Sequence, residues 1–409
     1  MKSRDRLVSA LVAAAGLLAA CGGGGGDTPA ATAPAAYVFE LPAGFPEPRV
    51  AAGEAMSEAK VTLGRFLFYD DRLAFTGNGS CASCHEQRLA FTDGRATALA
   101  PGGEMHSRNS MSLTNAVYNA RQNWANPNIK TLREQALVVL LNQDPVELGW
   151  QGREQTMLDR FRADPAYPAR FAAAFPGQAE PFTLDNVARA LAAFTATLIS
   201  GNSAYDRYHA ASNPDRTAMS EAARRGEALF FSERLECNHC HNGFNLANSV
   251  VHAGTSIDNI EYKNNALYNI AGPATGYPLE KGNYPTSNQG LYQFTFKATD
   301  MGRFRPPTLR NIALTAPYMH DGSIASLREL VVDHYAAGGR TIPEGPYAGV
   351  GSKNPNKDAL MIGFSISDAE VEDLLAFFDS LTDWDFVCDR RFSDPYGKVP
   401  MHARCGGGA

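Results

Sequence analysis

Two copies of the motif Cys-x-x-Cys-His constrain this chain more than any other sequence feature. They lie at residues 81–85 and 237–241, about one domain length apart. In this spacing two thiols can bond to the two vinyl groups of one haem, and the adjoining histidine can bind its iron. A single copy in a cytosolic chain could equally be a redox motif or half of a zinc site, but two copies in an exported chain favour haem. The sequence therefore predicts two covalently bound haems c, one held by Cys81, Cys84 and His85 and the other by Cys237, Cys240 and His241.

The first 50 residues indicate export and attachment to a membrane. Basic residues precede an apolar stretch, residues 7–20, which is too short to span a bilayer and is typical of a secretory signal peptide. The stretch ends in Leu-Ala-Ala-Cys, which is similar to the junction where bacterial lipoproteins are cut and lipidated. The alternative is an ordinary signal peptide with an incidental Cys21. We predict a signal peptide over 1–20, a lipidated and tethering N-terminus over 21–50, and a periplasmic protein anchored only by lipid, with the outer membrane as the expected site.

The net charge and the last two cysteines describe the setting in which the protein works. The formal charge is −6 and becomes more negative without the signal peptide, which argues against nucleic-acid binding and suits a basic redox partner. Cys388 and Cys405 lie near the C-terminus, outside both motifs. They form either a disulfide or two free thiols, and an oxidising compartment favours the disulfide.

The pattern of apolar residues predicts a mostly α-helical fold whose two halves share one plan. In each half a helix precedes the haem motif, and strand patterns are nearly absent. Polar residues 202–215 suggest a boundary, and residues 251–300 suggest long loops around a cofactor. Helices are predicted over 57–70, 135–141, 183–200, 220–231, 326–335 and 367–381, with capping boxes at Thr131–Glu134 and Ser367–Glu370. The resulting domains are 51–205 and 206–385, followed by a tail over 386–409.

Several longer motifs resemble a known family. The first half contains LGRFLFYDDRL, SCASCHEQRLAFTDGRA and RNSMSLTNAVYN, and the second contains GRFRPPTLRNIALTAPYMHDGSIASLRELVVDHY. Together these motifs resemble the bacterial di-haem cytochrome c peroxidase and MauG superfamily, over about residues 55–385. The segments EQALVVLLNQDPVELG and CNHCHNGFNLANS look most similar to the methanobactin-operon-associated (MbnH-like) enzymes. Residues 123–127 read NWANP where ordinary peroxidases of the superfamily carry FWDGRA, which favours the same subgroup.

This resemblance implies a fold, a reaction and partners. The fold would be two cytochrome c-like haem domains packed together, the first peroxidatic and the second for electron transfer. The chain would activate hydrogen peroxide, either to oxidise a tryptophan of a partner protein, such as a companion copper-binding lipoprotein, or as a cytochrome c peroxidase with a redox protein as donor. The competing hypothesis is a non-catalytic di-haem electron-transfer cytochrome, in which Glu147 and Trp124 would have no task.

Three residues of the first half match catalytic positions of the family. Glu147 matches a glutamate that takes a proton from one peroxide oxygen and delivers it to the other, and burial suits this role by raising the carboxyl pKa. Gln135 matches a glutamine that orders the same pocket by hydrogen bonding, although a helix-surface amide is an equal alternative. Trp124 matches a tryptophan between the two haems, where an indole can divide the electron path into two short hops; the alternative is a packing aromatic.

The resemblance also implies a second ligand for the iron above His241. The family places this ligand on the helix that follows the sequence MHDG, where members carry Met or Tyr. Tyr335 is our first choice, His334 a close second and Met319 a distant third. Adjacent helical residues diverge by about 100°, so only one of residues 334 and 335 can face the iron.

Calcium and two further histidines complete the set of candidates. The resemblance implies a calcium ion bridging the domains, bound by the side-chain oxygen of Asn109 and by the backbone carbonyls of Thr315 and Pro317. His106 lies where some family members carry a loop histidine that blocks the first iron, but its closeness to the next motif favours a structural role. His320 resembles a hydrogen-bonding histidine near the domain interface.

Overall fold

The computed structural model describes residues 36–269 and 284–406 and confirms a mostly helical fold. The predicted signal peptide, Cys21 and most of the predicted tether lie outside these ranges. No helix within them is both long and apolar enough to cross a membrane. The first half contains α1 Glu58–Tyr69, α2 Leu132–Leu141, α3 Glu154–Arg162, α4 Pro168–Ala174, α5 Leu184–Ala196 and α6 Ala204–His209. The second contains α7 Glu221–Phe230, α8 Tyr292–Thr295, α9 Leu327–Glu329, α10 Asp368–Ser380 and α11 Trp384–Val387, with a small antiparallel pair of β1 Thr341–Ile342 and β2 Gly349–Val350.

Most predicted helices begin at the capping residues that the sequence contains. Ser57 caps α1 and Ser220 caps α7, each by accepting a hydrogen bond from a first-turn amide. Thr131 with Glu134, at the start of α2, forms the predicted capping box, as do Ser367 and Glu370 at the start of α10. These bonds satisfy amides that would otherwise have no partner inside the helix, which is why the starts are readable from sequence.

Two predicted segments differ from the structure. Residues 202–215 were expected to be a loop, but α6 occupies 204–209 because Ser203 and Asp206 form a capping box. The predicted boundary between residues 205 and 206 therefore falls inside a helix. Residues 326–335 were expected to be one helix, but only α9 is α-helical, and Leu330–Tyr335 continue as a π-helix.

Each half is built around one closely packed helix pair. Gly64 of α1 lies against α5, where a Cβ atom would come within 1.8 Å of Ala190 O. Gly226 of α7 lies against α10 in the same way, and a Cβ atom there would come within 1.9 Å of Asp373 O. A side chain at either position would force the helices apart, so the glycine permits the close crossing. The helix that precedes each haem motif therefore packs in the same way, with a glycine at the crossing with its partner helix.

The residues from Pro34 onward form one compact unit with separate hydrophobic cores inside it. The larger core joins α1, α3, α4 and α5, and a second core joins α7 and α10. Phe386, Val387 and Phe392, from the predicted tail, belong to the core of the first half. Residues of the tail therefore form part of the hydrophobic core of the first half.

Hydrogen bonds and a disulfide fix this tail. Tyr69 Oη donates to Phe392 O at 2.6 Å, and Arg65 Nε donates to Ser393 O at 2.7 Å. Cys388 and Cys405 form a disulfide with a Cα–Cα distance of 5.2 Å, as the sequence favoured. The cross-link closes a short loop and limits the unfolded chain more than the folded one.

A buried polar network joins the two halves. Asp383 Oδ2 accepts hydrogen bonds from Ser200 Oγ at 3.0 Å and from the amide of Gly201 at 2.9 Å. Asn311 Nδ2 donates to the same Ser200 hydroxyl at 3.0 Å. Because buried polar groups are costly when unpaired, a satisfied network of this kind holds one relative position of the halves. The spacing between the two haem motifs is held by the same contacts.

Candidate haem sites and the residues between them

The first motif folds into a tight turn that orients one histidine. Cys81–Ser83 form a 3-10 turn, and the amide of His85 donates to Cys81 O at 3.0 Å. His85 Nδ1 donates to Phe91 O at 2.8 Å, which selects Nε2 as the nitrogen that can bind a metal. Burial lowers the pKa of His85, so the imidazole is neutral near pH 7, the form that binds iron.

The second motif repeats this arrangement. Cys237–His239 form a 3-10 turn, and the amide of His241 donates to Cys237 O at 3.1 Å. His241 Nδ1 lies 3.3 Å from Leu246 O and donates to it, so Nε2 is again the nitrogen for a metal. Burial lowers the pKa of His241 to about 4. Two histidines in the same local geometry indicate the same use.

A cavity lies beside the second motif. Its wall includes the two motif cysteines and the motif histidine. None of the four motif cysteines takes part in a disulfide. Most other lining side chains are apolar, among them Phe230, Leu235, Leu309, Ile312, Leu327, Leu330, Phe364, Leu374 and Phe378. An apolar cavity that offers two thiols and one neutral imidazole fits a covalently attached haem.

The candidates for the opposite side of this cavity are separated by the structure. Tyr335 and Met319 line the cavity, whereas His334 does not. His334 is fully buried, and its ring packs edge-on against that of Tyr335 with 4.7 Å between the ring centres. Burial raises the pKa of the Tyr335 phenol. The geometry thus favours Tyr335 and leaves Met319 as the second possibility.

Glu147 lies close to the first motif. Val146 N donates to Glu104 Oε2 at 2.9 Å and Leu148 N donates to Val139 O at 3.2 Å, so the residues on both sides of Glu147 are held. Glu147 as a whole is partly exposed, and burial of its carboxyl group raises the pKa to about 7. The thiol pKa values of both cysteines of the first motif rise to about 12, mainly through burial and in part through the negative charge of Glu147. The carboxyl group is therefore within electrostatic reach of the first haem position.

Gln135 lies in the first turn of α2, on the helix that ends shortly before Glu147. Its side-chain Oε1 is buried and has no hydrogen-bond partner among the described residues. A buried carbonyl oxygen without a donor is costly, so this atom is suited to accept a bond from a bound molecule or water. Gln135 as a whole is partly exposed, so the role of its amide in the pocket stays a prediction.

Trp124 connects the surroundings of the two motifs. Its indole Nε1 donates to Asn109 O at 2.9 Å, and its ring lines the cavity of the second motif. Ser110, which follows Asn109 in the chain, donates through Oγ to Cys84 O at 2.5 Å and lies 3.5 Å from His85 Nδ1. A short chain of bonds thus runs from the first motif through residues 109–110 to the indole. Trp150 is fully buried in the core of the first half, as a packing residue would be.

The three residues of the predicted calcium site lie together. Asn109, Thr315 and Pro317 line one cavity. Asn109 Nδ2 lies 2.8 Å from Arg95 O and 3.4 Å from both Ala96 O and Pro317 O. Backbone carbonyls grouped around one side-chain amide are the kind of oxygen ligand that calcium takes, once the amide turns its oxygen toward the ion.

The two remaining histidines occupy different environments. His106 lies in a hairpin loop, where its amide donates to Ala98 O at 2.8 Å, and burial lowers its pKa. His320 is 2 % exposed, stacks on Phe304 with 3.6 Å between ring centres, and accepts a bond from Asn109 N through its carbonyl. His320 therefore lies where the two halves meet, and His106 is held by its own loop.

Arg305 is a residue of this region that the sequence analysis does not single out. It is 1 % exposed, lines the cavity of the second motif, and its amide donates to Trp124 O at 2.9 Å. The sequence signal was the run GRFRPP, in which nothing distinguishes a buried arginine from an exposed one.

These features define a class: a c-type cytochrome with two haem attachment motifs in one chain. Comparison with known proteins agrees. The sequence model described as di-haem cytochrome c peroxidase matches residues 58–213. The cytochrome-c peroxidase IdrP1 of a Pseudomonas species is 30% identical over 351 residues, which cover 83% of this chain and 85% of that protein. The methylamine utilization protein MauG of Methylorubrum extorquens is 29% identical over 343 residues, which cover 84% and 83%.

A solved structure is more similar still. It is described as a MauG-like protein associated with microbial copper homeostasis, and it is 41% identical with a TM-score of 0.82, covering 88% of this chain and 100% of that one. This chain belongs to the di-haem cytochrome c peroxidase and MauG family, which confirms the family prediction. Membership implies two c-type haems, in agreement with the two motifs.

Proposed function

We propose that this chain activates hydrogen peroxide at the first motif and uses it to oxidise a partner protein. The observation that carries this proposal is Glu147, whose carboxyl pKa is raised to about 7 by burial and whose negative charge acts on the thiols of Cys81 and Cys84. Haem bound at the motif supplies the iron redox chemistry that breaks the O–O bond. The protein supplies the proton transfer, the electron path and the partner surface.

Glu147 acts as the acid–base group of the reaction. As a carboxylate it accepts a proton from the oxygen of peroxide that is to bind, and it returns this proton to the other oxygen, which leaves as water. Burial raises its pKa to about 7, so near neutral pH the group can both accept and release a proton. Gln135, through its unpaired Oε1, helps to orient the peroxide or a water molecule in the same pocket.

The second site serves as an electron reservoir. His241 and Tyr335 would hold its iron, since both line the cavity and His334 does not. Trp124 connects the two sites through Asn109 and Ser110. A simple electron carrier needs neither a buried acid beside the first motif nor an oxidisable side chain between the two, so these residues argue against the electron-transfer cytochrome.

The partner is the finer part of the proposal. The solved structure that is 41% identical belongs to a protein associated with copper homeostasis, which supports a copper-binding protein as the partner. That a tryptophan of this partner is oxidised is implied by the family resemblance alone. A peroxidase that takes electrons from a small redox protein is the second possibility, since relatives carry the name cytochrome-c peroxidase. Incubation with peroxide and the protein encoded by the neighbouring gene, followed by mass spectrometry of that protein, distinguishes covalent modification from electron donation.

A calcium ion is proposed between the halves, bound by the side chain of Asn109 and the carbonyls of Thr315 and Pro317. The shared cavity and the cluster of carbonyl oxygens around Asn109 support it. Oxygen ligands from both halves would fix the position of Trp124, whose indole is bonded to Asn109 O.

Haem content is the first test of this proposal. We expect two irons per chain and haem that stays with the protein after denaturation, because the attachment is covalent. His85→Ala and His241→Ala should each remove the spectrum of one haem and leave the other recognisable. Metal analysis and pyridine haemochrome spectra measure both, and one iron per chain in the wild type contradicts the proposal.

The location of the protein is a separate proposal, because residues 1–35 lie outside the described ranges. We propose that the mature chain begins at a lipidated Cys21 and is held at a periplasmic membrane face by this lipid alone. Cys21→Ser should release the protein from membranes or leave it unprocessed. Mass spectrometry of the mature N-terminus decides, and an unmodified chain that begins at Cys21 argues for an ordinary signal peptide.

A further inference from the structure

Arg305 is a buried cation without a counter-charge in the described part of the chain. Its Nη1 donates to Asn119 Oδ1 at 3.2 Å, and its other contacts are the carbonyls of Asn123 and Pro306 at 3.5 Å. Burial lowers its pKa to about 10, so it remains charged at pH 7. By comparison Arg310, 2 % exposed, is paired with both carboxylate oxygens of Asp206 at 2.7 and 2.9 Å. A buried charge is costly when it is unpaired, and within residues 36–269 and 284–406 no anion pairs with Arg305.

The position of Arg305 indicates where this anion comes from. Arg305 lines the same cavity as Cys237, Cys240 and His241. The group that fits this cavity, a haem c, carries two propionate carboxylates besides its iron. We propose that Arg305 pairs with a propionate of the haem held by residues 237–241. The inference rests on the proposed function in one respect, namely that a haem is bound there.

Arg305 also reaches the tryptophan between the two sites. Its amide donates to Trp124 O at 2.9 Å, and its guanidinium contacts Asn119 and Asn123, which belong to the loop that carries Trp124. The arginine is therefore a positioning residue that ties the haem carboxylate to the tryptophan loop. A fixed positive charge beside the haem favours the reduced iron, because reduction lowers the positive charge on the metal.

The test is the midpoint potential of each haem in the holoprotein, measured by spectroelectrochemical titration. Arg305→Gln should lower the potential of the His241 haem and leave that of the His85 haem unchanged. Arg305→Lys keeps the positive charge and should stay close to the wild type. The matched control is Arg303→Gln, since Arg303 lies two residues away, is 40% exposed and faces Asp300 at 3.7 Å. This control should shift neither potential.

The outcomes separate this inference from the proposed function. Two irons per chain with unchanged potentials in Arg305→Gln overturn the pairing, and equal shifts of both haems indicate a general structural effect and overturn it as well. Dependence of the wild-type potential on added chloride or acetate would mean that Arg305 binds a free anion instead. A wild-type preparation with one iron fails the proposed function itself.

A second measurement keeps the inference testable if Arg305→Gln does not fold. Redox difference infrared spectra of the wild type, recorded at the potential of the His241 haem, should contain guanidinium bands. These bands should move when the protein is labelled with nitrogen-15 arginine, since reduction of the iron alters the carboxylate that the guanidinium contacts. Spectra without a label-sensitive band overturn the pairing.

Discussion

Replacing Glu147 by glutamine is expected to slow the reaction with hydrogen peroxide by about 10²–10⁴-fold, the usual contribution of a positioned acid–base group. Glutamine keeps the size of the side chain but neither accepts nor releases a proton near neutral pH. Both haems should still be attached, because the substitution leaves the two motifs intact. Stopped-flow absorbance at several peroxide concentrations gives the second-order rate constant that tests this.

A matched control shows whether the loss of any carboxylate slows the reaction, or only the loss of the one at position 147. Glu180→Gln removes a carboxylate from the same half, at a side chain that is 61% exposed. It should react with peroxide at the wild-type rate. If Glu147→Gln also reacts at that rate, Glu147 is not the acid–base group, and the family resemblance has assigned the role wrongly.

The pH dependence of the same reaction follows from the raised pKa of Glu147. Burial raises this pKa to about 7 from an ordinary value of 4.5, and the group must be ionised to accept a proton. As the pH falls through 7 the carboxylate is protonated, so the rate constant should fall about tenfold per pH unit and should level off above the pKa. In Glu147→Gln this limb should disappear. A wild-type rate that stays constant between pH 5 and 8 would contradict the assignment.

Glu147 also shows which part of the site is readable from sequence. Its neighbours, DPVELG, mark the position, but nothing in the residue string states that the carboxyl group is buried. That environment arises because Glu104, distant in the chain, and Val139, on the preceding helix, hold the residues on either side. Motifs identify residues with a role, whereas a pKa depends on groups that only the fold brings together.

The choice between His334 and Tyr335 could not be made from sequence for a related reason. The expected separation of about 100° applies to an α-helix. The segment is a π-helix, a local widening that is frequent at functional sites and has no simple sequence signature. The polar residues 202–215 predict a loop, but Ser203 and Asp206 form a capping box, and this local signal correctly marks the start of α6. Local capping chemistry was the better guide.

Arg305 was missed because one arginine in a sequence is by default a surface residue. Its burial and its lack of a carboxylate partner become visible only when the cavity and the contacts are known. The disulfide between Cys388 and Cys405, by contrast, was predictable from the compartment and from the shortage of other partners. The disulfide could be predicted because few cysteines were available to pair. The burial of Arg305 could not, because residues distant in the sequence form its surroundings.

Replacing Trp124 by phenylalanine is expected to uncouple the two haem sites. Phenylalanine keeps much of the packing area but is harder to oxidise than indole, and it loses the hydrogen bond from Nε1 to Asn109 O. The resting spectra of both haems should be unchanged, because neither motif is touched. After mixing with peroxide, the absorbance of the His85 haem should change at the wild-type rate. The response of the His241 haem should slow at least about tenfold, equivalent to roughly 1.4 kcal/mol in the barrier.

The control for this substitution is Trp384→Phe. Trp384 is only partly buried, packs against the core of the first half and lies outside the cavity of the second motif, so its loss should leave both responses unchanged. Modification of a partner protein should decrease in Trp124→Phe in proportion to the lost coupling, while binding of the partner should persist. Simultaneous changes of both haems in Trp124→Phe, at the wild-type rate, would mean that electrons take another path. The most direct alternative runs from Cys84 O through Ser110 and Asn109 to His320 O, and none of these hydrogen bonds needs an oxidisable ring.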